Sequence, residues 1–113
     1  MIELANTIKR ENSVSIGVIS NEGRELTDYR VNKFELKNFV DIFLCSCYVH
    51  LRKPDGAIFQ LALDITQCNP EETLYVDDRE LYVCAAQGGG INGIVHKSAR
   101  STVASLTSRG LGV

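Results

Sequence analysis

The sequence predicts an α/β fold in which a parallel sheet of about four strands is covered by helices. Two observations carry this prediction. Short β-branched or apolar runs alternate along the chain with segments whose apolar residues recur at helical spacing. Polar or glycine-containing residues follow the apolar runs, as they do where buried strands end. Such an alternation is typical of βαβ units, whose crossover helices place successive strands parallel.

The amino-terminal half of the chain predicts two strands and a helix. Residues 13–20 form a β-branched run that ends in polar residues, which is typical of a buried strand followed by a loop. Residues 24–33 have apolar residues near helical spacing, and residues 42–46 are the expected second strand. Residues 4–9 have only weak helical character.

Two helix boundaries follow from capping residues in the carboxyl-terminal half. Pro54 is predicted to begin a helix. Amide protons in the first turn of a helix have no partner within the helix, so the proton that proline lacks is not needed there. Ser101 is predicted to cap a last helix over residues 101–110, which Gly110 closes. The helix after Pro54 presents an apolar stripe that consists of Ala57, Ile58, Leu61, Ala62 and Ile65.

Two further strands are expected between these helices. Residues 73–77 form a short apolar strand, and residues 91–96 form the last one. Residues 80–87 have helical character, and the helix is predicted to stop at Gly88–Gly90.

Length and composition indicate the class of protein. The 113 residues, 44% of them hydrophobic, predict a single globular domain over residues 1–113. A formal net charge of -2, with scattered Lys and Arg residues, disfavours a nucleic-acid partner. No apolar run reaches the roughly 18 to 20 residues of a membrane span, and the polar segment 1–13 does not resemble a secretory signal. We therefore expect neither nucleic acid nor a membrane as a partner.

The cysteines indicate a reducing compartment. The four cysteines include no C-x-x-C pair, and the two histidines lie far from each other, which disfavours a zinc site. Cys45 and Cys47 are predicted to share one face of the second strand and to pack as small hydrophobic residues. We expect all four cysteines to be reduced thiols of a cytoplasmic protein.

Polar residues at the predicted strand ends are the candidates for a functional site, because ligands of parallel sheets bind beyond the carboxyl ends of the strands. Taken alone, each has an ordinary explanation: an adjacent acidic pair is common in solvated loops and at helix amino termini, and Ser-Asn is a turn signal. A divalent cation would also explain why two adjacent carboxylates stay ionised. The strand-end residues are Ser20, Asn21, Ser46, Asp77, Asp78 and His96.

Three segments resemble, in their order and spacing, the haloacid dehalogenase-like hydrolase superfamily, specifically the carboxy-terminal part of its core domain. The segment "VISNEG" (18–23) resembles the second motif of that family. The segment "LRKPDGAIFQLAL" (51–63) resembles the third, and "TLYVDDRELYVCAAQGGGINGIV" (73–95) resembles the fourth. The agreement extends over about residues 13 to 112 and implies a Rossmann-like three-layer sandwich.

The resemblance implies a magnesium-dependent, phosphatase-type hydrolase for a small phosphorylated metabolite. Asp77 and Asp78 would hold Mg²⁺ through their carboxylate oxygens. Ser20 and Asn21 would donate hydrogen bonds to phosphate. Lys53 would be the catalytic cation that neutralises the charge of the phosphate and of the nucleophile.

The sequence departs from the family at several positions. The nucleophile of the family is the first Asp of a D-x-D motif at the end of the first strand, and no D-x-D occurs in these 113 residues. The cap domain of the family has no counterpart either. Tyr82 stands where the family usually has an Asp or Asn that supports the metal, and Gly56 replaces a common Pro. The resemblance therefore implies a truncated core that is inactive alone.

The absence of the first strand has an architectural consequence. In the family this strand lies at the centre, between the strand that ends at Ser20 and the one that ends at Asp77. Its loss leaves a gap of roughly 10 Å between those two strands, and each unpaired buried backbone group costs on the order of 1 to 3 kcal/mol. We expect the two strands to close up and pair directly, or a homodimer partner or missing amino-terminal segment to complete the sheet.

Two other interpretations stay open at this point. The chain could be a non-catalytic interaction or regulatory module derived from the same fold. It could also be an unrelated small α/β domain of the flavodoxin-like type, in which Asp77 and Asp78 form an acidic pocket for a cation.

Overall fold

The computed structural model describes residues 2–112 and has the alternating helices and strands that the sequence predicts. The strands are β1 (Gly17–Ser20), β2 (Ile42–Cys45), β3 (Leu74–Asp77) and β4 (Asn92–Val95). The helices are α1 (Ile2–Glu11), α2 (Arg24–Lys33), α3 (Ser46–Val49), α4 (Gly56–Thr66), α5 (Glu80–Gly88) and α6 (Ala99–Ser108). Two 3₁₀ turns, Leu36–Asn38 and Pro70–Glu72, precede β2 and β3.

The four strands form two parallel sheets of two strands each. β1 pairs with β2, from Gly17 opposite Ile42 to Ser20 opposite Cys45. β3 pairs with β4 in the same way. The α/β class and the parallel pairing are confirmed. Within residues 2–112 no backbone hydrogen bond joins β1 to β3, so the expectation that these two strands close up and pair directly is wrong.

Side-chain packing explains how β1 and β3 share one domain without pairing. Ile19 of β1 and Tyr75 of β3 both pack against the same buried cluster, and the Tyr75 ring meets the Phe59 ring edge-on at a centroid distance of 5.0 Å. The helices therefore hold both strands in place. The edge of β1 that faces away from β2 and the edge of β3 that faces away from β4 do not pair with each other. We call these the inner edges of β1 and β3. The cluster consists of Ile58, Phe59, Leu63, Ala86 and Ile91.

Two predicted features of the middle of the chain are wrong. β2 ends at Cys45 and the chain turns at once into the short helix α3, so Cys47 does not share a strand face with Cys45. α4 begins at Gly56, because the Asp55 carboxylate accepts a hydrogen bond from the Ala57 N–H and caps the helix there. Pro54 therefore precedes α4 instead of opening it. All four cysteines are free thiols.

The cap of the last helix lies three residues earlier than predicted. Ser98, not Ser101, is its cap, since the Ser98 hydroxyl oxygen accepts a hydrogen bond from the Ser101 N–H at 3.1 Å. The Ser101 hydroxyl oxygen accepts in turn from the Ser98 N–H at 3.3 Å, which completes a capping box. The helix ends at Ser108, and Gly110 follows with the positive φ of 86° that glycine tolerates.

α1 ties the amino ends of the first two strands to the end of the chain. Lys9 Nζ lies 2.7 Å from Asp41 Oδ2, just before β2, and the same oxygen accepts from the Ile16 N–H just before β1. The Asn12 side chain donates to the Gly112 carbonyl at 2.9 Å and accepts from the Gly112 N–H at 3.1 Å. No helix within residues 2–112 is long and apolar enough to span a membrane.

Candidate functional site

The structure brings three of the candidate residues into direct contact at the carboxyl ends of β1 and β3. Asn21 follows β1, Asp77 is the last residue of β3, and Lys53 comes from the loop before α4. Lys53 bonds to Asn21 through its backbone and to Asp77 through its ammonium group. Because both sheets end here, Lys53 bridges them through side-chain contacts.

Asn21 holds the main chain of Lys53. The Asn21 Oδ1 atom accepts a hydrogen bond from the Lys53 N–H at 2.9 Å, and the Asn21 amide donates to the Lys53 carbonyl at 3.0 Å. The same amide lies 3.5 Å from the Tyr82 hydroxyl. Both polar atoms of the side chain are thus occupied. In this arrangement Asn21 positions Lys53 and has little donor capacity left for a phosphate.

Lys53 and Asp77 form a nearly buried ion pair. Lys53 Nζ lies 2.9 Å from Asp77 Oδ2, and each side chain is 10% exposed. The ammonium group also lies 4.7 Å from the centroid of the Tyr82 ring and 5.8 Å from that of Tyr75, within the range of cation–π attraction. The cation is therefore held by one carboxylate and two aromatic faces.

Asp77 accepts hydrogen bonds at both carboxylate oxygens. The Tyr75 hydroxyl donates to Oδ2, beside Lys53, and the Arg79 N–H donates to Oδ1 at 3.0 Å. Burial alone raises the pKa of Asp77, but the bonds from Tyr75, Lys53 and Arg79 outweigh it and lower the pKa to about 2. Burial and the neighbouring carboxylate raise the pKa of Tyr75, which keeps its hydroxyl a donor.

Ser20 is buried, and its hydroxyl is also paired. It donates to Glu22 Oε1 at 2.9 Å, and the Arg30 guanidinium approaches the same oxygen at 3.3 Å. The second oxygen, Glu22 Oε2, is buried and has no hydrogen-bond partner among the described residues. The family resemblance assigns the Ser20 hydroxyl to phosphate binding. In this structure the hydroxyl donates its hydrogen bond to the Glu22 carboxylate instead.

The residues present do not by themselves fit a magnesium ion. Asp77 is neutralised by Lys53, and the adjacent Asp78 is exposed to solvent. No group of three or more His, Cys, Asp or Glu residues in the described part of the chain could hold a metal ion. The Tyr82 ring lies over the Lys53 ammonium, and an aromatic ring supplies none of the oxygen ligands that Mg²⁺ prefers.

A cavity of about 360 Å³ adjoins this cluster at the ends of β1 and β2. Asn21 is common to the cavity and the cluster. Ser46, another strand-end candidate, lines it and donates its hydroxyl to the Glu22 carbonyl at 3.3 Å. His96 follows β4, where its N–H donates to the Asp77 carbonyl at 2.7 Å and its Nδ1 atom lies 2.6 Å from the buried Thr102 hydroxyl. The cavity is lined by Asn21, Glu22, Gly23, Ser46, Cys47, His50 and Arg52.

Two residues of the site have a role that sequence reasoning missed. Tyr75 binds Asp77, and Glu22 binds Ser20. In each case the partner lies two residues away. The contact between Tyr75 and Asp77 is predictable from the sequence, because residues two apart in a strand point to the same face. Glu22 lies beyond the end of β1, so no strand period applies to it.

Comparisons with known proteins show the family of the chain. A sequence model of the haloacid dehalogenase-like hydrolase family matches residues 1–96. No curated protein in the search matches the chain. Among solved structures, an uncharacterised protein from Corynebacterium glutamicum is 26% identical with a TM-score of 0.81, and the match covers 98% of this chain and 83% of that one.

Two other structures show the same fold at lower identity. A protein from Porphyromonas gingivalis described as a predicted HAD-like family hydrolase is 22% identical with a TM-score of 0.81, and covers 95% of this chain and 56% of that one. A HAD family enzyme from Bacteroides thetaiotaomicron, in complex with magnesium and inorganic phosphate, is 20% identical with a TM-score of 0.75, and covers 86% and 52%. The chain thus spans little more than half of either protein.

Proposed function

The chain belongs to the haloacid dehalogenase-like hydrolase family, and from this premise we propose that it is the phosphate-binding part of a hydrolase for a small phosphorylated metabolite. The observation that carries the proposal is the meeting of Asn21, Lys53 and Asp77 at the carboxyl ends of β1 and β3. A fixed ammonium group at such a position stabilises the charge of phosphoryl oxygens. The phosphate complex of the Bacteroides enzyme supports the choice of ligand.

Each residue has a defined part in this proposal. Lys53 supplies the positive charge, and Asn21 fixes the backbone from which that charge projects. An arriving phosphate competes with Asp77 for the ammonium group and with Glu22 for the Ser20 hydroxyl. Phosphate binding by the isolated chain is therefore weak, because these internal bonds must be exchanged.

Hydrolysis in the proposal needs a carboxylate that these residues do not contain. Covalent phosphoryl transfer requires an attacking group, and the sequence contains no D-x-D motif. We infer that the nucleophile and at least one further oxygen ligand for Mg²⁺ come from outside residues 1–113. Asp78 is the free carboxylate that this chain would contribute to such a metal site, in a cytoplasmic setting consistent with its free thiols.

The unpaired inner edges indicate where that polypeptide would bind. β1 and β3 are anchored on one core and both end at Lys53, so a single strand parallel to both would pair with each inner edge. Its carboxyl end would then reach Lys53. We assign this strand to an additional amino-terminal segment, because the family has its first strand there; two of the similar structures are nearly twice as long as this chain, whereas the Corynebacterium protein is only a little longer.

Binding of inorganic phosphate to the 113-residue chain tests the proposal. Titration followed by ³¹P NMR is expected to show weak binding, which Lys53→Gln reduces by about tenfold through loss of a charge-assisted bond. Lys37→Gln, at an exposed lysine in the 3₁₀ turn before β2, is the matched control and should leave binding unchanged. Equal binding by both variants would contradict the role of Lys53, and enzyme-like hydrolysis of a simple phosphomonoester by the chain alone would contradict an external nucleophile.

A non-catalytic module is the second candidate, and the internal pairing of the site favours it. Ser20, Asn21 and Lys53 all have partners within the chain, as expected of groups that stabilise a fold. This candidate gains support if phosphate fails to bind at millimolar concentration while the chain still binds an added strand at its inner edges.

A further inference from the structure

We propose that the cavity beside Lys53 binds a second anionic group of the phosphorylated ligand and that Arg52 is the residue that recognises it. This inference rests on the proposed phosphate site and narrows its ligands to molecules that carry two negative groups. The feature that carries it is a cavity of about 360 Å³, wide open to solvent, that shares Asn21 with the phosphate cluster.

The charges that line the cavity favour an anion. Glu22 is the only acidic residue in the lining; its Oε1 atom is bonded by Ser20 and lies 3.3 Å from the Arg30 guanidinium, and its Oε2 atom is buried and has no hydrogen-bond partner among the described residues. Arg52 lines the cavity and is exposed, and its guanidinium makes no hydrogen bond or ion pair with any residue from 2 to 112. A guanidinium group with free donors binds carboxylate or phosphate oxygens in a two-pronged geometry.

The backbone places Arg52 next to the phosphate group. Arg52 directly precedes Lys53, whose N–H and carbonyl are both held by Asn21. The Arg52 carbonyl also accepts a hydrogen bond from the Asp55 N–H at 2.9 Å. The two cations therefore come from adjacent residues of one fixed segment: the Lys53 ammonium bonds to Asp77, and Arg52 lines the cavity. In this proposal the two anionic groups of the ligand are joined by only a few bonds, and one is bound by each cation.

A second donor on the same wall supports the assignment. His50 lines the cavity and is exposed, so its imidazole can donate to an anion that Arg52 binds. The lining also includes Ser46, whose hydroxyl is already used by the Glu22 carbonyl. Arg52 is thus the residue whose charge is both permanent and unpaired among the described residues of this wall.

Two phosphonates of similar size provide the test. Phosphonoacetate carries a phosphonate and a carboxylate, whereas ethylphosphonate carries the phosphonate alone. We expect the full 113-residue chain to bind phosphonoacetate on the order of tenfold more tightly, as measured by ³¹P NMR titration at low ionic strength. Arg52→Gln should remove this difference, because it weakens the binding of phosphonoacetate more than that of ethylphosphonate. Arg100→Gln, at an exposed arginine of α6, is the matched control.

The outcomes separate this inference from the proposed function. In one outcome both ligands bind, Lys53→Gln weakens the binding of both, and Arg52→Gln leaves the preference for phosphonoacetate intact. The cavity assignment is then wrong and the phosphate site stands. If the two phosphonates bind the unmodified chain equally, the assignment is also wrong. If neither ligand binds, the phosphate site fails and the inference fails with it. Amide chemical shifts of Arg52→Gln that match those of the unmodified chain away from the cavity verify that the variant folds.

Discussion

Lys53 is the residue on which most of the site depends. Its main chain is held by Asn21 at the end of β1, and its ammonium group is held by Asp77 at the end of β3. The pair is nearly buried, and removing one member of a buried ion pair leaves the other charge without compensation. The same side chain thus links the stability of the domain to its proposed ligand binding.

Replacement of Lys53 by Gln should destabilise the domain by about 3 kcal/mol, because Asp77 would lose its counter-ion in a site of low solvent access. Urea unfolding followed by circular dichroism measures the difference. Lys37→Gln should change the free energy of unfolding by no more than about 0.5 kcal/mol. A loss of less than about 1 kcal/mol in the Lys53 variant would mean that the ion pair is hydrated in solution.

Acid stability should report the Asp77 carboxylate. Its pKa is lowered from 3.8 to about 2, so the stability it contributes is present above about pH 4 and is lost as the pH falls toward 2. The contribution amounts to about 2 kcal/mol. As the pH falls from about 4 to about 2, the free energy of unfolding of Asp77→Asn should therefore decrease less than that of the unmodified chain. Asp64→Asn, at an exposed carboxylate of α4, is the control and should follow the unmodified chain.

Sequence patterns predict the candidate site residues but not the partners that these residues have in the structure. Ser20, Asn21, Lys53 and Asp77 were identified because they follow apolar runs or match motifs. That Asn21 binds a backbone segment 32 residues away depends on the path of the loop before α4, which no local pattern encodes. The motif position of Asp78 likewise predicts a ligand role, whereas its exposure follows from the turn after β3.

At the scale of the elements, a glycine in β4 allows this strand to lie close to α5. Gly93 of β4 faces α5, where a β-carbon would come within 2.5 Å of Val83 Cγ1 and 3.1 Å of Gln87 Nε2. Val83 is buried, so the helix would have to move to admit a methyl group. The glycine thus sets the distance between this strand and its helix.

Gly93→Ala should destabilise the domain by about 2 kcal/mol through this overlap. Gly56→Ala is the matched control, because a β-carbon there has no atom within 4 Å and Gly56 is the first residue of α4. Alanine in a helix is expected to be neutral or to stabilise by about 0.5 kcal/mol relative to glycine. Thermal unfolding of the two variants compares them. Similar melting temperatures would show that the strand and helix separate easily.

Element types followed from the sequence more reliably than element ends. The alternation of apolar runs and helical stripes predicted every strand and the parallel pairing within each sheet. The helix ends at Asp55 and Ser98 were missed because several residues nearby can cap, and the choice depends on which backbone amides the neighbouring packing leaves free. The turn α3 was missed because an apolar run of this length suits a strand or a helix equally.

For the whole molecule, the central question is how two small sheets make one domain. β1 and β3 share a core through Ile19 and Tyr75 and are linked at one end by Lys53. Their separation could not be predicted from the sequence, because it depends on whether side-chain burial or backbone pairing has the greater effect once the helices are in place. Sheets of two strands are marginal alone, so the shared helices must supply most of the stability.

Hydrogen exchange should reveal the inner edges. Amide protons of β1 and β3 that face β2 or β4 are bonded and should exchange slowly, whereas those on the inner edges should exchange much faster. NMR-detected exchange at single residues measures the difference. If a longer chain with an additional amino-terminal segment slows the inner-edge amides while remaining monomeric, that segment fills the gap. Slowing that depends on protein concentration would instead indicate a dimer, and uniformly slow exchange in the isolated chain would contradict open edges.

The bond between Asn12 and Gly112 has a practical consequence for such measurements. It anchors the last described residue beside the amino ends of β1 and β2, where Lys9 also pairs with Asp41, whereas Lys53 lies at the carboxyl ends. A surface linker or affinity handle joined directly after Gly112 would therefore emerge from the face remote from the ammonium group. A sensor chip that carries the protein in this orientation would leave the site around Lys53 facing the solution.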